Sequence, residues 1–222
     1  MKYTHLLFDL DGTLTDPRIG ITSCVHYALE KSGIAVPDRE SLLPYIGPPL
    51  RRSFQDLHGL SPEEAERAVV YYRERFSTIG LYENEVYPGI PELLAALRRQ
   101  GCVLGLATSK MERYAREILA HFGLEAHFDH VLGSTPDGSL SEKGDIIRLA
   151  LTRCGFPAER TLMVGDTKYD IEGACENGID SVAVSYGYGD WSETLAAGPT
   201  HTCATVGELG VLLAGLNAAS ND

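Results

Sequence analysis

Cysteine is scarce and unpatterned in this chain. The 222 residues hold five, at 24, 102, 154, 175 and 203, and the nearest two lie 21 positions apart. An odd, dispersed set is neither a disulfide framework nor a zinc-ligand spacing. It predicts small apolar side chains buried in the core of a protein from a reducing compartment. Long apolar runs are also missing: none approaches the length of a membrane span, and no basic segment precedes the first strand-like run. The expectation is a soluble, cytoplasmic protein with no membrane partner. Basic charge is in deficit, with 19 Lys and Arg against 31 Asp and Glu and a formal charge of −12. That balance disfavours nucleic acid and anionic lipid. It also requires any phosphate-binding site to gather positive potential locally, from a metal, single lysines and backbone N–H groups. Repeats and low-complexity segments are absent, residues 217–222 are expected to fray, and with no exposed apolar heptad seam both monomer and homodimer stay open.

What is present is an alternation of two patterns. Short apolar runs at 4–9, 102–108, 129–133, 161–165 and 181–185 are separated by helical patterns at 90–100, 110–122, 142–154 and 168–177. Gly101, Gly123, Gly155 and Gly178 stand at the helix ends, where a left-handed C-terminal cap is expected. Such alternation predicts an α/β fold, a Rossmann-like parallel sheet flanked by helices, with ligands at the carboxyl ends of the strands. Between Asp16 and Glu85 strand signals disappear. Asp16-Pro17 reads as a helix start closed by Gly33, and Ser61-Pro62-Glu63-Glu64 as a capping box. About 70 residues is too long for a loop. The expectation is a small all-helical cap domain, residues 16–85, inserted after the first strand of a core domain formed by 1–15 and 86–222. Hinged beside the strand ends, it would act as a lid.

The chemistry-bearing residues fall at those strand ends. Asp9-Leu10-Asp11-Gly12-Thr13 follows the first apolar run. Taken alone, Asp-x-Asp-Gly is an ordinary acidic turn. Two carboxylates ending a buried strand are costly without a cation, and oxygen donors favour a hard divalent ion, Mg²⁺ first among them. Leu162–Val164 leads similarly into Gly165 and Asp166, with Asp170 four residues on, so both carboxylates are expected to face one point at a helix start. Thr108-Ser109-Lys110 is placed just before a helix, where hydroxyls and free N–H groups serve either as an anion site or simply as a cap. Lys143 sits in a first helical turn, a position that calls for an anionic partner. Within the predicted cap, Gly47-Pro48-Pro49 precedes Arg51 and Arg52, which read as ligands for an anionic substrate tail or as solvent-facing charges. Tyr186-Gly187-Tyr188-Gly189, after the last strand run, reads as a site rim or as a tight turn.

In order, Phe8–Leu14, Thr108–Lys110, Lys143 and Gly165–Asp170 resemble the four motifs of the haloacid dehalogenase superfamily, in particular its phosphatases with a helical cap. The resemblance spans almost the whole chain and implies a phosphomonoester hydrolase acting through an aspartyl-phosphate. Asp9 would be the nucleophile, and Asp11 the acid and then the base. Mg²⁺ would be held by Asp9, by Asp11 through its backbone carbonyl and by Asp166, with Asp170 ordering that shell. Thr108 and Lys143 would hold the phosphoryl oxygens, and Ser109, Lys110 and Gly12 join the substrate-binding set. Many relatives place proline after the lysine of the third motif; this chain has Gly144. Dehalogenases of the superfamily lack the second aspartate, and its phosphonatases have a small residue there and a Schiff-base lysine in the cap. Asp11 argues against both. The cap size resembles phosphoglycolate phosphatases and nucleotidases, which makes a small phosphorylated metabolite the expected partner. Phosphoglycolate is the first candidate, a nucleoside 5′-monophosphate follows closely, and a β-phosphoglucomutase-like phosphomutase is the third reading.

Overall fold

The computed structural model describes residues 1–36 and 38–218. The first half of the chain forms β1 (His5–Phe8), β2 (Thr15–Asp16), α1 (Arg18–Lys31), α2 (Leu50–His58), α3 (Pro62–Arg75), β3 (Glu85–Val86) and α4 (Ile90–Arg99). The second half forms β4 (Val103–Met111), α5 (Glu112–His121), β5 (His130–Ser134), α6 (Lys143–Arg153), β6 (Thr161–Gly165) and α7 (Lys168–Glu176). It ends with β7 (Asp180–Val184), α8 (Trp191–Ala196), β8 (His201–Cys203) and α9 (Val206–Ala218).

Six strands make one parallel sheet in the order β5-β4-β1-β6-β7-β8. Along β1, Leu6 and Phe8 enter one apolar core and Leu7 the other, as a strand of period two covered on both faces must do. Helices α4, α5 and α9 supply Leu94, Ile118, Leu119 and Leu209 to the first core; α6 and α7 supply Ile146, Ile147 and Ala174 to the second. From β1 the chain winds outward through β4 and β5, then returns to build β6, β7 and β8 on the other side. That reversal puts the switch point of the sheet between β1 and β6, where an α/β sheet opens a crevice.

Register then aligns the strand ends. Phe8 pairs with Leu106 of β4 and Val164 of β6, and the Asp9 N–H donates to the Val164 carbonyl at 2.9 Å. The residues that follow Phe8, Leu106 and Val164 therefore stand side by side at inter-strand spacing. Gly101, Gly123, Gly155 and Gly178 all have positive φ, as helix-closing residues should.

The segment between β1 and α4 is helical, and Ser61 and Glu64 form the expected capping box at the start of α3. Two details differ from the sequence reading. The segment is not wholly without strand: Thr15–Asp16 pairs antiparallel with Glu85–Val86, so both crossings are tied into one ribbon. Two residues of extended chain per strand are too short to show as alternation. The start of α1 also differs, with Pro17 at the N-cap and the Asp16 carboxylate accepting from the Arg18 N–H at 3.0 Å.

Three further expectations are corrected or limited. Cys24, Cys102 and Cys203 are buried, but Cys154 is half-buried and Cys175 exposed, because Cys175 lies on the outer face of α7. Helix α9 continues through Ala218, and residues 219–222 lie outside the described residues. Gly144 lies where α6 and α7 touch: a Cβ there would overlap the Glu176 carboxylate on α7, and Asn177 Nδ2 donates to the Gly144 carbonyl at 2.9 Å. Among the described residues no helix is long and apolar enough to cross a membrane.

Candidate active site

Three buried carboxylates meet at the switch point. Asp9 follows β1, Asp166 follows β6 and Asp170 lies in the first turn of α7; each offers an oxygen within 4.8 Å of the others. Lys143, the first residue of α6, enters from the same face of the sheet as α7, on which α6 packs. Its Nζ lies 2.7 Å from Asp9 Oδ1, 2.8 Å from Asp170 Oδ1 and 2.8 Å from the Ala107 carbonyl. Two of these contacts, to Asp9 and to the Ala107 carbonyl, are hydrogen bonds, and the anionic partner that the helix start called for is supplied by the protein. The Asp170 contact is an ion pair without hydrogen-bond alignment.

Electrostatics shows how unfinished the cluster is. Burial, reinforced by Asp9 and Asp170, pushes the Asp166 carboxyl up to about 8. Burial also raises Asp9, to about 6, although Lys143 pulls against it. For Lys143 burial opposes the charge, but Asp170 and Asp9 outweigh it and hold the ammonium above the ordinary lysine value. One ammonium does not neutralise three carboxylates. The donor set is all oxygen, which is what a hard divalent cation takes.

A stability prediction follows. Asp166 and Asp9 bind protons more tightly in the folded chain than in the unfolded one, where a carboxyl titrates near its ordinary value. The folded state therefore carries more protons between about pH 4 and about pH 8, and stability falls as pH rises through that window. The Tm of metal-free protein should drop on going from about pH 5 to about pH 8. Asp166→Asn should flatten the drop, and Mg²⁺ should raise Tm more at the upper pH, by about 4 °C or more. Equal Tm gains with Mg²⁺ at both pH values would contradict this.

Asp11 stands apart from the cluster. Its Oδ2 pairs with Lys110 Nζ at 2.7 Å, while Oδ1 is buried without a hydrogen bond to the protein. The Asp11 side chain is thus not among the converging carboxylates. It faces a cavity of about 330 Å³ between the helical segment and the sheet, lined also by Tyr72, Phe76, Tyr114, Ser109 and Arg51. Lys110 Nζ also lies 4.5 Å above the Phe76 ring. Phe76 stacks on Tyr72 at 5.1 Å and meets Tyr114 edge-on at 5.2 Å, giving the cavity an aromatic wall.

Other expected residues take different positions. Thr108, Ser109 and Lys110 are not at a helix start, because β4 runs on to Met111, which is the N-cap of α5. Thr108 is buried within β4 and its Oγ1 accepts from the Lys110 N–H at 3.2 Å, beside the register irregularity between Ala107 and Met111, so the hydroxyl caps no helix. Asp166 and Asp170 do not share a helix either. Thr167 is the N-cap of α7, and Asp170 Oδ2 accepts from its N–H and hydroxyl at 3.1 and 2.8 Å. Gly12 has φ of +87°, its N–H donates to the Thr15 carbonyl at 2.8 Å, and a Cβ there would overlap the Asp166 carboxylate. With its N–H spent in the turn, Gly12 serves the site by making room. Arg51 and Arg52, in the first turn of α2, both line the cavity. Arg51 is paired with Glu66, and Arg52 with Asp56 at 3.3 Å.

Residues that the sequence reading left open or passed over hold Asp166. Thr13 Oγ1 donates to Asp166 Oδ1 at 3.1 Å, and the N–H groups of Tyr188 and Gly189 donate to Oδ2 at 2.8 and 3.3 Å. The tyrosine–glycine run was the available signal, but its contribution comes from the backbone, which no side-chain pattern announces.

Comparison with known proteins matches residues 6–184 to the haloacid dehalogenase-like hydrolase family. The chain belongs to that family. A 5′-nucleotidase from Pseudomonas aeruginosa is 47% identical over 209 residues, covering 94% of this chain and 95% of that protein. The tyrosine-protein kinase PtkA of Mycobacterium tuberculosis is 42% identical over 206 residues, covering 92% of this chain and 70% of its own. The crystal structure of a predicted phosphatase from Clostridium acetobutylicum superposes with a TM-score of 0.94 at 41% identity, covering 97% of this chain and 100% of that one. Within the haloacid dehalogenase-like hydrolases, the protein is a phosphatase.

Proposed function

We propose that the protein is a Mg²⁺-dependent phosphomonoesterase that passes the phosphoryl group through Asp9, and that a nucleoside 5′-monophosphate suits it better than phosphoglycolate. The observation that carries this reading is the division of labour between Asp9 and Asp11. One carboxylate faces Asp166, Asp170 and Lys143; the other faces an open cavity with one oxygen unpaired. A nucleophile and a proton carrier need those two environments.

Asp9, Asp166, the Asp11 carbonyl and Asp170 are the groups that would hold the ion. When bound, Mg²⁺ supplies the positive charge that lets an anionic carboxylate approach an anionic phosphate. The protein does the rest. An Asp9 oxygen bonds to phosphorus as the ester P–O bond breaks, and Asp11 gives its proton to the leaving oxygen. Asp11 then takes a proton from the water that hydrolyses the acyl-phosphate, which frees Asp9 and releases phosphate. Lys143 holds Asp9 in place and, with Thr108, lends donors to the phosphoryl oxygens.

The cavity supports the preference for a larger leaving group. At about 330 Å³, with Tyr72, Phe76 and Tyr114 on its wall, it is within the size range of sites for ring-bearing ligands, and a two-carbon glycolate would leave most of it unfilled. The relative named 5′-nucleotidase supports the same choice. A phosphate-release panel with Mg²⁺ and with chelator tests it. Nucleoside 5′-monophosphates should exceed phosphoglycolate in kcat/KM by about tenfold or more. Release from phosphoglycolate alone would reverse the order. Conversion of a sugar phosphate to a shifted isomer without free phosphate would identify a phosphomutase and contradict hydrolysis.

A further inference from the structure

The run Tyr186–Gly189, after β7, touches the carboxylate cluster at one end and both crossings into the helical segment at the other. At the cluster, the Tyr188 and Gly189 N–H groups hold Asp166 Oδ2. The fit is close: a Cβ on Gly187 would overlap the Asp166 side chain, and one on Gly189 would overlap the Asp166 backbone carbonyl. At the entry crossing, the Tyr188 hydroxyl donates to Asp16 Oδ1, in the ribbon strand β2, and the same oxygen accepts from the Arg18 N–H that opens α1. The Tyr186 hydroxyl donates to the Thr13 carbonyl at 2.9 Å, and Thr13 is itself a donor to Asp166. At the exit crossing, the Tyr186 ring packs edge-on against Tyr87 at 5.0 Å. One short loop is therefore hydrogen-bonded to Asp166 and to the entry crossing, and packed against the exit crossing.

We propose that this loop couples the metal centre to the hinge of the helical segment, with Tyr188 as the positioning residue between Asp166 and Asp16. The inference rests on the reading of Asp166 as a metal ligand. An ion that fixes the Asp166 carboxylate fixes the N–H groups bonded to it, and through the Tyr188 side chain it fixes Asp16 and the start of α1. Coupling is reciprocal, so an insertion held in this pose strengthens ion binding by the same factor. The loop holds the helical segment in this pose more firmly when the centre is loaded than when it is empty.

Hydrogen exchange on the full-length protein, titrated with Mg²⁺ alone, tests this without any turnover. In the wild type, Mg²⁺ should slow exchange both around Asp166 and at the ribbon amides of residues 15–16 and 85–87. Tyr188→Phe removes only the hydroxyl and keeps the N–H donor. It should retain protection around Asp166 but lose about three- to tenfold of the Mg²⁺-dependent protection at the ribbon. Mg²⁺ affinity, followed through Trp191 at the start of α8, should weaken by the same factor. Asp16→Ala breaks the bond from the other side and should reproduce the effect. A merely structural role would change ribbon exchange equally with and without Mg²⁺. Undiminished Mg²⁺-dependent ribbon protection in both variants, or wild-type protection confined to the Asp166 region, would overturn the coupling alone. An absence of Mg²⁺ protection anywhere would overturn the metal reading and the coupling together.

Discussion

Asp9→Asn is expected to abolish phosphate release, lowering kcat by about 10³-fold or more, while leaving the protein folded. The amide is a poor nucleophile and cannot form the acyl-phosphate. The fold should tolerate the change because Asp9 is one of three carboxylates that repel one another in a buried space. Lys143 keeps two of its oxygen partners, Asp170 and the Ala107 carbonyl, so its charge is not orphaned. The metal-free Tm should therefore hold or rise, and the gain on adding Mg²⁺ should shrink because an oxygen donor has lost its charge. Phosphate release and thermal unfolding, each with and without Mg²⁺, check both halves. Activity within about tenfold of wild type would remove Asp9 from the nucleophile role.

Lys143→Met should produce the largest stability loss of any single change at the site. The ammonium is the only cation within ion-pair reach of Asp9 and Asp170 among the described residues. Removing one partner of a buried ion pair leaves the remaining charges uncompensated, at a cost of about 3–5 kcal/mol. For a chain of this size that corresponds to a Tm loss of roughly 10 °C. The carboxylates can respond by taking up protons, so the loss should be larger at high pH than at low pH. A divalent cation places charge in the same cluster and should recover part of the loss, whereas monovalent salt should not. Catalysis should fall by about 10²–10³-fold even where the variant is fully folded, since Lys143 also orients Asp9. A Tm change under about 2 °C would show that the ammonium is dispensable to the cluster.

Much of this site was legible in the sequence, for a physical reason. A parallel sheet delivers its strand ends to one edge, so Asp9 and Asp166, each closing an apolar run, had to come together once β1 and β6 were neighbours. Lys143 was legible because a cation in a first helical turn is out of place without an anion. What stayed hidden depends on backbone or on contacts across the fold. Two N–H groups of the Tyr186–Gly189 run hold Asp166, but peptide donors carry no residue signature. The Thr15–Asp16 and Glu85–Val86 ribbon is too short to leave a periodic trace. Thr108–Lys110 suggested a helix start because hydroxyls precede a helical pattern, yet strand pairing carries β4 to Met111 and the helix begins later. Lys110 gave no hint that it would pair with Asp11, since the two are joined only when β1 and β4 lie side by side.

The central claim is that the phosphoryl group passes through Asp9, and peptide mapping by mass spectrometry after a rapid acid quench tests it most directly. With Mg²⁺ and a turning-over nucleoside 5′-monophosphate, the peptide containing residues 9–13 should carry one phosphoryl group on Asp9. The label should vanish on chelation and in Asp9→Asn. Continued phosphate release with that peptide unmodified, or a phosphoryl group found on another residue, would contradict the account.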